Sequence, residues 1–169
     1  FASLGEGAIA DWSAIFLISV LSINDGSAAL GFTVFSICMF AMRLMGDRIS
    51  FKFGPSKTAR YSGLVALIGS IILLTFESFF PLIIGFGLIG LGIAVIIPLA
   101  FSRAGNDKNI SQGVAIASIA TLGYGGMLIG PLFIGIIAQA TSIKTSFLIF
   151  PILAFLIFAL SKHLSIKSV

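Results

Sequence analysis

The longest stretches without a charged side chain constrain this sequence most strongly. Residues 109–143 form a run of thirty-five positions without Asp, Glu, Lys or Arg, and residues 78–102 form a run of twenty-five. A helix needs roughly 20 predominantly apolar residues to cross a bilayer. Charged residues make up only 9% of the 169 positions, whereas soluble domains carry about 25%. The sequence therefore predicts a protein that crosses a membrane several times.

Charges, glycines and prolines divide the chain into six segments of spanning length. A bilayer leaves every backbone polar group to be satisfied internally, and the segments lack the alternation of barrel strands, so we expect helices. The predicted fold class is an all-α integral membrane bundle of six transmembrane helices. The predicted spans cover residues of about 3–23, 28–46, 58–76, 80–102, 113–137 and 145–162.

Basic residues lie almost entirely on one side of the predicted bundle. The other side has Lys144 alone, in one of three short turns. Because cytoplasmic connections are enriched in Lys and Arg, this bias places both ends of the chain in the cytoplasm. The nine basic residues expected there are Arg43, Arg48, Lys52, Lys57, Arg60, Arg103, Lys108, Lys162 and Lys167.

The same composition argues against several other classes of protein. Basic residues that flank apolar spans do not form a nucleic-acid-binding surface, so no nucleic-acid partner is expected despite the net charge of +4. Cys38 and His163 have no companions at metal-ligand spacing, so no metal site is expected. The sequence offers no pairing of a nucleophile with a base, so we do not expect an enzyme. Because the chain enters a span almost at once and lacks an initiator Met, we expect a domain of a longer protein.

Two groups of residues resemble a known transporter family. The segment RLMGDRISFK resembles the cytoplasmic loop motif of the major facilitator superfamily, which reads Gly, three residues, Asp-Arg, one residue, Gly, one residue and a basic residue. Asp47, Arg48 and Lys52 match this pattern, while Arg43 and Ser50 replace its two glycines. The segments EGAIADWSAIFL, IIPLAFSRAG and GYGGMLIGP are similar to the fucose-permease-like branch of bacterial transporters.

The resemblance implies a fold and an activity. The chain would be helices seven to twelve, the C-terminal half of a twelve-helix secondary transporter of the bacterial inner membrane, built from two inverted three-helix repeats. It would work by alternating access against the N-terminal six-helix half, without a cofactor other than a proton gradient, and move a sugar-like or other small polar solute. Multidrug efflux by proton antiport is one alternative. A non-transporting membrane scaffold or receptor is another.

The motif also has a physical interpretation of its own. Arg43 and Asp47 are four residues apart at a predicted helix end, so they can pair on one face. With Arg48 and Lys52, such contacts would form a cytoplasmic gate that latches when that side of the transporter is closed. The alternative is that these charges only hold the orientation of the chain.

Glu6 and Asp11 are the only acidic residues expected within a span, where a charge is costly. They are about 140° apart on a helix, and Asp11 lies about 7.5 Å deeper, so they should not form a close pair. Burial favours the neutral form of a carboxyl group, which would let either acid carry a proton. We expect Asp11 to couple protons or contact the substrate. Glu6 should make an inter-helix or gating contact, or reach the membrane surface instead.

The polar residues nearest these acids are candidate substrate contacts. Trp12 could stack on a sugar-like ring and donate its indole N–H. The other candidates are Ser13, Ser118, Thr121 and Tyr124. The sequence places no Lys or Arg in the cavity to hold an anionic solute.

Glycine and proline patterns predict close packing and hinges. The GxGxxG of residues 85–90 lies within a span, so we reject a dinucleotide site. Instead Gly85 and Gly92 share one helix face and Gly87 and Gly90 share nearly the opposite one, which would bring two neighbours close. Hinges are expected in two spans because proline leaves a carbonyl without its helical donor. The hinge residues are Gly126, Gly130 and Pro131 in the fifth span, and Pro98 in the fourth.

Overall fold

A computed structural model describes residues 1–106 and 110–164, in which the regular secondary structure is entirely helical. Over these residues the chain has six helical segments long and apolar enough to cross a membrane, so the prediction of six spans is confirmed. The fourth and sixth spans are each divided in two. The helices are α1 (Ala2–Leu21), α2 (Asp25–Phe53), α3 (Pro55–Thr75), α4 (Phe79–Ile93), α5 (Ile96–Gly105), α6 (Gln112–Ala140), α7 (Ile143–Ser146) and α8 (Ile149–Leu160), followed by a 3₁₀ turn, Ser161–Leu164.

The long basic loop expected after the second span is helical instead. Helix α2 continues to Phe53 and α3 begins at Pro55, so one residue, Gly54, connects them. Gly54 has a φ of 84°, a left-handed backbone that glycine adopts without a side-chain clash. Pro55 then suits the first turn of α3, where a missing N–H breaks no hydrogen bond. The expectation that the second span ends near residue 46 and is followed by a loop is therefore wrong.

The fourth span is interrupted one turn before its proline. Helix α4 ends at Ile93 and α5 starts at Ile96. Pro98 has no N–H to donate to the carbonyl of Ala94, four residues earlier, so that carbonyl needs another donor. In contrast, α6 passes through Pro131 as one continuous helix.

Helix α4 packs between α2 and α3 on its two glycine faces. A Cβ added at Gly92 would lie 2.5 Å from the backbone nitrogen of Ala66 in α3. A Cβ added at Gly90 would collide with the backbone of Phe35 in α2. Only glycine permits both approaches, because small residues let backbones of transmembrane helices come close. The predicted use of these glycines in packing is confirmed.

Phenylalanine rings fill the centre of the bundle where α1, α4 and the α7–α8 junction meet. Phe16 and Phe147 stack with their ring centroids 4.2 Å apart. Phe86 meets Phe16 edge-on at 6.0 Å, and Phe150 lies 4.9 Å from Phe147. All four are buried, so these rings hold α1, α4 and the α7–α8 junction together.

The alternating direction of the spans gives the bundle two ends. The basic end contains the start of α1, Gly54 and the end of α5. The opposite end contains three short turns, where Lys144 forms an ion pair with Glu77. Lys108 and Lys167, which we expected at the basic end, lie outside the described residues.

Candidate functional site

Helices α1 and α6 pack backbone against backbone and carry most of the predicted site. Gly7 of α1 lies directly against the carbonyl of Met127, and Gly130 of α6 lies against the carbonyl of Leu4. A Cβ at either glycine would clash with the oxygen it faces. Met127 is the residue whose carbonyl loses its helical donor at Pro131. The small residues predicted around Pro131 thus serve close packing.

Trp12 strengthens this interface from the α1 side. Its indole Nε1 donates a hydrogen bond of 3.0 Å to the carbonyl of Pro131, and its ring covers Gly135. The N–H that we expected to be available to a solute is therefore occupied by the protein. In this structure Trp12 ties α1 to α6, and its stacking on a sugar-like ring stays a prediction.

Glu6 and Arg43 form an ion pair between α1 and α2. Nη2 of Arg43 lies 3.1 Å from Oε2 and 3.3 Å from Oε1 of Glu6. Nε of the same guanidinium lies 3.4 Å from the carbonyl oxygen of Ala94. Arg43 thereby provides a donor for the carbonyl that Pro98 leaves open, and it links α1, α2 and the break between α4 and α5.

The pairing of Arg43 differs from the one we expected. Asp47, four residues along α2, is exposed and makes no ion pair or hydrogen bond within the part of the chain that the structure describes. Arg43 lies ten residues before the end of α2, close enough in depth to Glu6 for its long side chain to reach across. The predicted Arg43–Asp47 pair is therefore corrected to Glu6–Arg43.

A cavity of about 390 Å³, the Glu6 cavity, opens beside this ion pair. Side chains of Glu6 and Arg43 are 23% and 41% exposed there. The expectation that no basic side chain reaches the cavity is wrong, because Arg43, near the end of the predicted second span, reaches it from α2. The cavity lies between α1, α2, α5 and α6, and its apolar lining includes Ile96, Ile97, Phe101 and Met127.

Asp11 lines a second recess, the Asp11 groove, of about 340 Å³ between α1 and α6. Its side chain is exposed and has no hydrogen bond or ion pair within the described residues. Tyr124 and Met127 line both the groove and the Glu6 cavity, so these two side chains stand between the acids. Glu6 and Asp11 thus face different spaces, as their helical separation predicts.

The remaining candidate substrate contacts occupy three kinds of position. Ser13 is 1% exposed, and its Oγ has no hydrogen-bond partner in the described structure, so it lies in the bundle core and not in a cavity. Ser118 and Thr121 are exposed on α6, but their hydroxyls donate to carbonyls of Val114 and Ala117 in the preceding turn. Tyr124, 72% exposed, is the one that lines both recesses.

The other gate candidates lie along the last turns of α2. Asp47 lines a third recess of about 570 Å³, the Asp47 groove, which runs between α2 and α5 past Pro98. Arg48 is exposed without an ion pair among the described residues, and Lys52 lies over the neighbouring ring of Phe53 at 5.3 Å. The described residues include no group of three or more His, Cys, Asp or Glu side chains able to hold a metal ion.

The contacts of Arg43 with Glu6 and Ala94 were not predicted from the sequence, although the sequence contains one indication of them. A proline at position 98 marks the carbonyl of Ala94 as open, since proline removes the donor four residues on. A basic side chain within reach of a span is a natural partner for such a carbonyl. Which one would reach it depends on how α2 and the fourth span pack, which no local pattern records.

Comparison with known proteins identifies the family. Residues 2–165 match the Major Facilitator Superfamily. An uncharacterized transporter of Sinorhizobium fredii is 40% identical over 94% of this chain and 42% of its own length. An uncharacterized MFS-type transporter of Yersinia pestis is 41% identical over 85% of this chain and 38% of its own length. The membrane protein MosC of Rhizobium meliloti is 36% identical over 85% and 35%, respectively.

The chain therefore spans about two fifths of the length of these curated relatives. Each alignment covers most of the six-helix bundle. The described helices are long enough to span a membrane, and the family matches nearly all residues of the chain. With the three relatives, this shows that the chain is a multi-pass membrane protein that belongs to the Major Facilitator Superfamily.

Proposed function

We propose that this chain is the C-terminal six-helix half of a secondary active transporter of the fucose-permease-like branch. It moves a small polar solute by alternating access against an N-terminal half, in the bacterial inner membrane with the basic end in the cytoplasm. Protons drive the transport, and Asp11 carries the proton. The relatives that are named as transporters support the general activity.

The position of Asp11 carries the proposal. It is the tenth residue of the twenty in α1, and its carboxylate is exposed on the surface of the bundle without a partner in the described residues. A charge in the middle of a span is tolerated where it faces water or protein and not lipid. The face that bears Asp11 and Tyr124 is therefore the face that meets the N-terminal half across a water-filled cavity.

Drug efflux by proton antiport is the second candidate. Apolar side chains of Ile96, Ile97, Phe101 and Met127 dominate the wall of the Glu6 cavity. Such a wall suits an amphipathic solute, since ligand cavities of this kind bind by apolar contact with a few placed polar groups. The direction of proton-driven transport separates uptake from efflux.

The cytoplasmic gate remains part of the proposal in a revised form. Asp47 is not bound by Arg43, and it lines the Asp47 groove beside the break in the fourth span. A free carboxylate there can latch onto a donor of the N-terminal half when the basic end closes. Gly130, Pro131 and Pro98 are the proposed bending points of the spans that close it.

The test is Asp11→Asn in the full-length protein, reconstituted in liposomes with an imposed pH gradient. A panel of neutral sugars, small monocarboxylates and amphipathic cations identifies a transported solute. We expect the variant to lose gradient-driven accumulation of that solute while keeping exchange of labelled for unlabelled solute, because exchange needs no net proton movement. Asp25→Asn is the matched control, since Asp25 begins α2 at the opposite end and should leave both assays unchanged.

Accumulation by Asp11→Asn at the wild-type level would remove Asp11 from proton coupling. A wild-type protein that moves no solute in either direction would favour the scaffold or receptor interpretation instead.

A further inference from the structure

The guanidinium of Arg43 has hydrogen-bonding capacity left over. Arginine has five N–H donors. Nε points to the carbonyl of Ala94, and Nη2 faces both oxygens of Glu6. Nη1, with two N–H donors, has no partner among the described residues, and the side chain is 41% exposed. Arg43 lines both the Glu6 cavity and the Asp47 groove, and it keeps this pair of donors for a further acceptor.

The position of this guanidinium is fixed before any solute arrives. The carbonyl of Ala94 holds Nε because Pro98 cannot supply its helical donor. A carboxylate binds a guanidinium through two parallel N–H groups on two nitrogens, so a solute carboxylate gains the full fork of Nη1 and Nη2 only when Glu6 gives up Nη2. Apolar walls at Ile97 and Phe101 exclude water from one side and strengthen the attraction between opposite charges.

The charge of Glu6 decides how much net positive charge the Glu6 cavity carries. With Glu6 ionised, the pair is neutral overall, and a solute carboxylate must compete with the carboxylate that Arg43 already holds. With Glu6 neutral, the cavity carries the uncompensated positive charge of Arg43. The other charged side chains that line the adjoining recesses are Asp47 in the Asp47 groove and Asp11 in the Asp11 groove, and neither pairs with Arg43.

We propose that Arg43 is the anion-binding residue of the Glu6 cavity, and that the solute it takes carries a carboxylate on a small, partly apolar body. Glu6 is the internal carboxylate that occupies Arg43 when no solute is bound. The inference rests on the proposed transport of a small solute and narrows the class of that solute to monocarboxylates.

This arrangement predicts effects of opposite sign from the two partners. Glu6→Gln keeps the shape of the side chain but removes the competing charge, so carboxylate binding should become about 10-fold tighter, the size of one charge-assisted hydrogen bond. Arg43→Gln removes the receptor for the anion, so binding should weaken by about 10-fold or more. Arg43→Lys keeps the charge without the planar fork and should fall between wild type and Arg43→Gln. An ion pair with a structural role alone would make both single losses act in the same direction.

The experiment measures equilibrium binding to purified full-length protein, alongside its thermal unfolding midpoint without ligand. The probes are lactate, glucuronate and benzoate, each compared with its own amide, which has the same shape without the charge. At least one carboxylate should bind tightly and its amide poorly. Glu77→Gln is the matched control, because it breaks the ion pair with Lys144 at the opposite end and should leave carboxylate binding unchanged.

Three results would overturn the inference. The first is that the amides bind as tightly as the carboxylates. The second is that Glu6→Gln and Arg43→Gln both weaken binding, with Arg43→Lys used instead if Arg43→Gln does not fold. The third is that no carboxylate in the panel binds while the protein transports a neutral solute. The last result leaves the proposed transport function intact. Carboxylate binding with opposite effects of the two variants, but without transport in liposomes, would support the anion site and count against the transport function.

Discussion

Replacing Gly130 by alanine should force α1 and α6 apart. Gly130 lies on the face of α6 that touches α1, and its Cβ would be 3.1 Å from the carbonyl carbon of Leu4 and 3.3 Å from the nitrogen of Ala8. It would come even closer to the carbonyl oxygen of Leu4, below 3.0 Å. These neighbours are helix backbone, which cannot rotate out of the way as a side-chain tip can.

The size of the effect follows from the displacement. An ordinary contact needs about 3.4 Å, so the backbones at Gly130 and Leu4 must separate by about 1 Å. Overpacking of this kind costs typically about 1–3 kcal/mol. The shift also strains the hydrogen bond from Trp12 to Pro131, the residue next to Gly130.

Thermal unfolding of the purified full-length protein in detergent, followed by loss of helical signal, is the assay. Gly126→Ala is the matched control, because it changes the same residue type on the same helix one turn earlier. Its Cβ would lie 3.5 Å from the nearest atom, the nitrogen of Leu4, which is an ordinary contact. If Gly130→Ala unfolds at the same midpoint as Gly126→Ala, the close approach of α1 and α6 at Gly130 is refuted.

Three further changes test other parts of the structure. Trp12→Phe should lower the free energy of unfolding by about 1 kcal/mol, since the carbonyl of Pro131 loses its indole donor; an unchanged midpoint would contradict this. Lys144 holds the pKa of Glu77 below its ordinary value of 4.5, first by a hydrogen bond and then by its charge. The resulting stabilisation is present above pH of about 4.5 and is lost as the pH falls through the lower folded-state pKa, so the midpoint difference between wild type and Glu77→Gln should vanish on acidification. Asp47→Asn should reduce transport without changing the amount of inserted protein, and unchanged kinetics would limit Asp47 to a role in orientation.

The fold is predictable from the sequence where helical geometry alone decides. Uncharged runs define six spans because a bilayer requires them, and the glycine faces of α4 follow from 3.6 residues per turn. The prediction failed at the end of α2, where charges from Asp47 onward suggested a loop. A helix does not end because it leaves the apolar layer. It ends at Gly54-Pro55, and that pair was the better signal.

The candidate site was predictable to a lesser degree. The angular separation of Glu6 and Asp11 follows from their spacing in one helix, and the structure places them in separate recesses. The partner of Glu6 could not be predicted in the same way. Arg43 is thirty-seven residues away, and the contact exists because α1 and α2 pack at a particular register. The position of Ser13 in the core could not be predicted for a similar reason, because polarity alone does not distinguish a residue that lines a cavity from one in the core.

Pro98 and Pro131 open one backbone carbonyl each, at Ala94 and Met127, and the protein treats these two carbonyls differently. A bilayer offers no water to an open carbonyl, so each needs a neighbour. Ala94 receives a charged donor from Arg43, whereas Met127 faces the backbone of Gly7, where a C–H group can give only a weak hydrogen bond. The break in the fourth span is therefore held by a charged side chain, and losing this interaction would leave the guanidinium of Arg43 without that acceptor. The carbonyl of Met127 loses only this weak contact when α1 and α6 separate, so α6 is the helix expected to bend first when the bundle changes conformation.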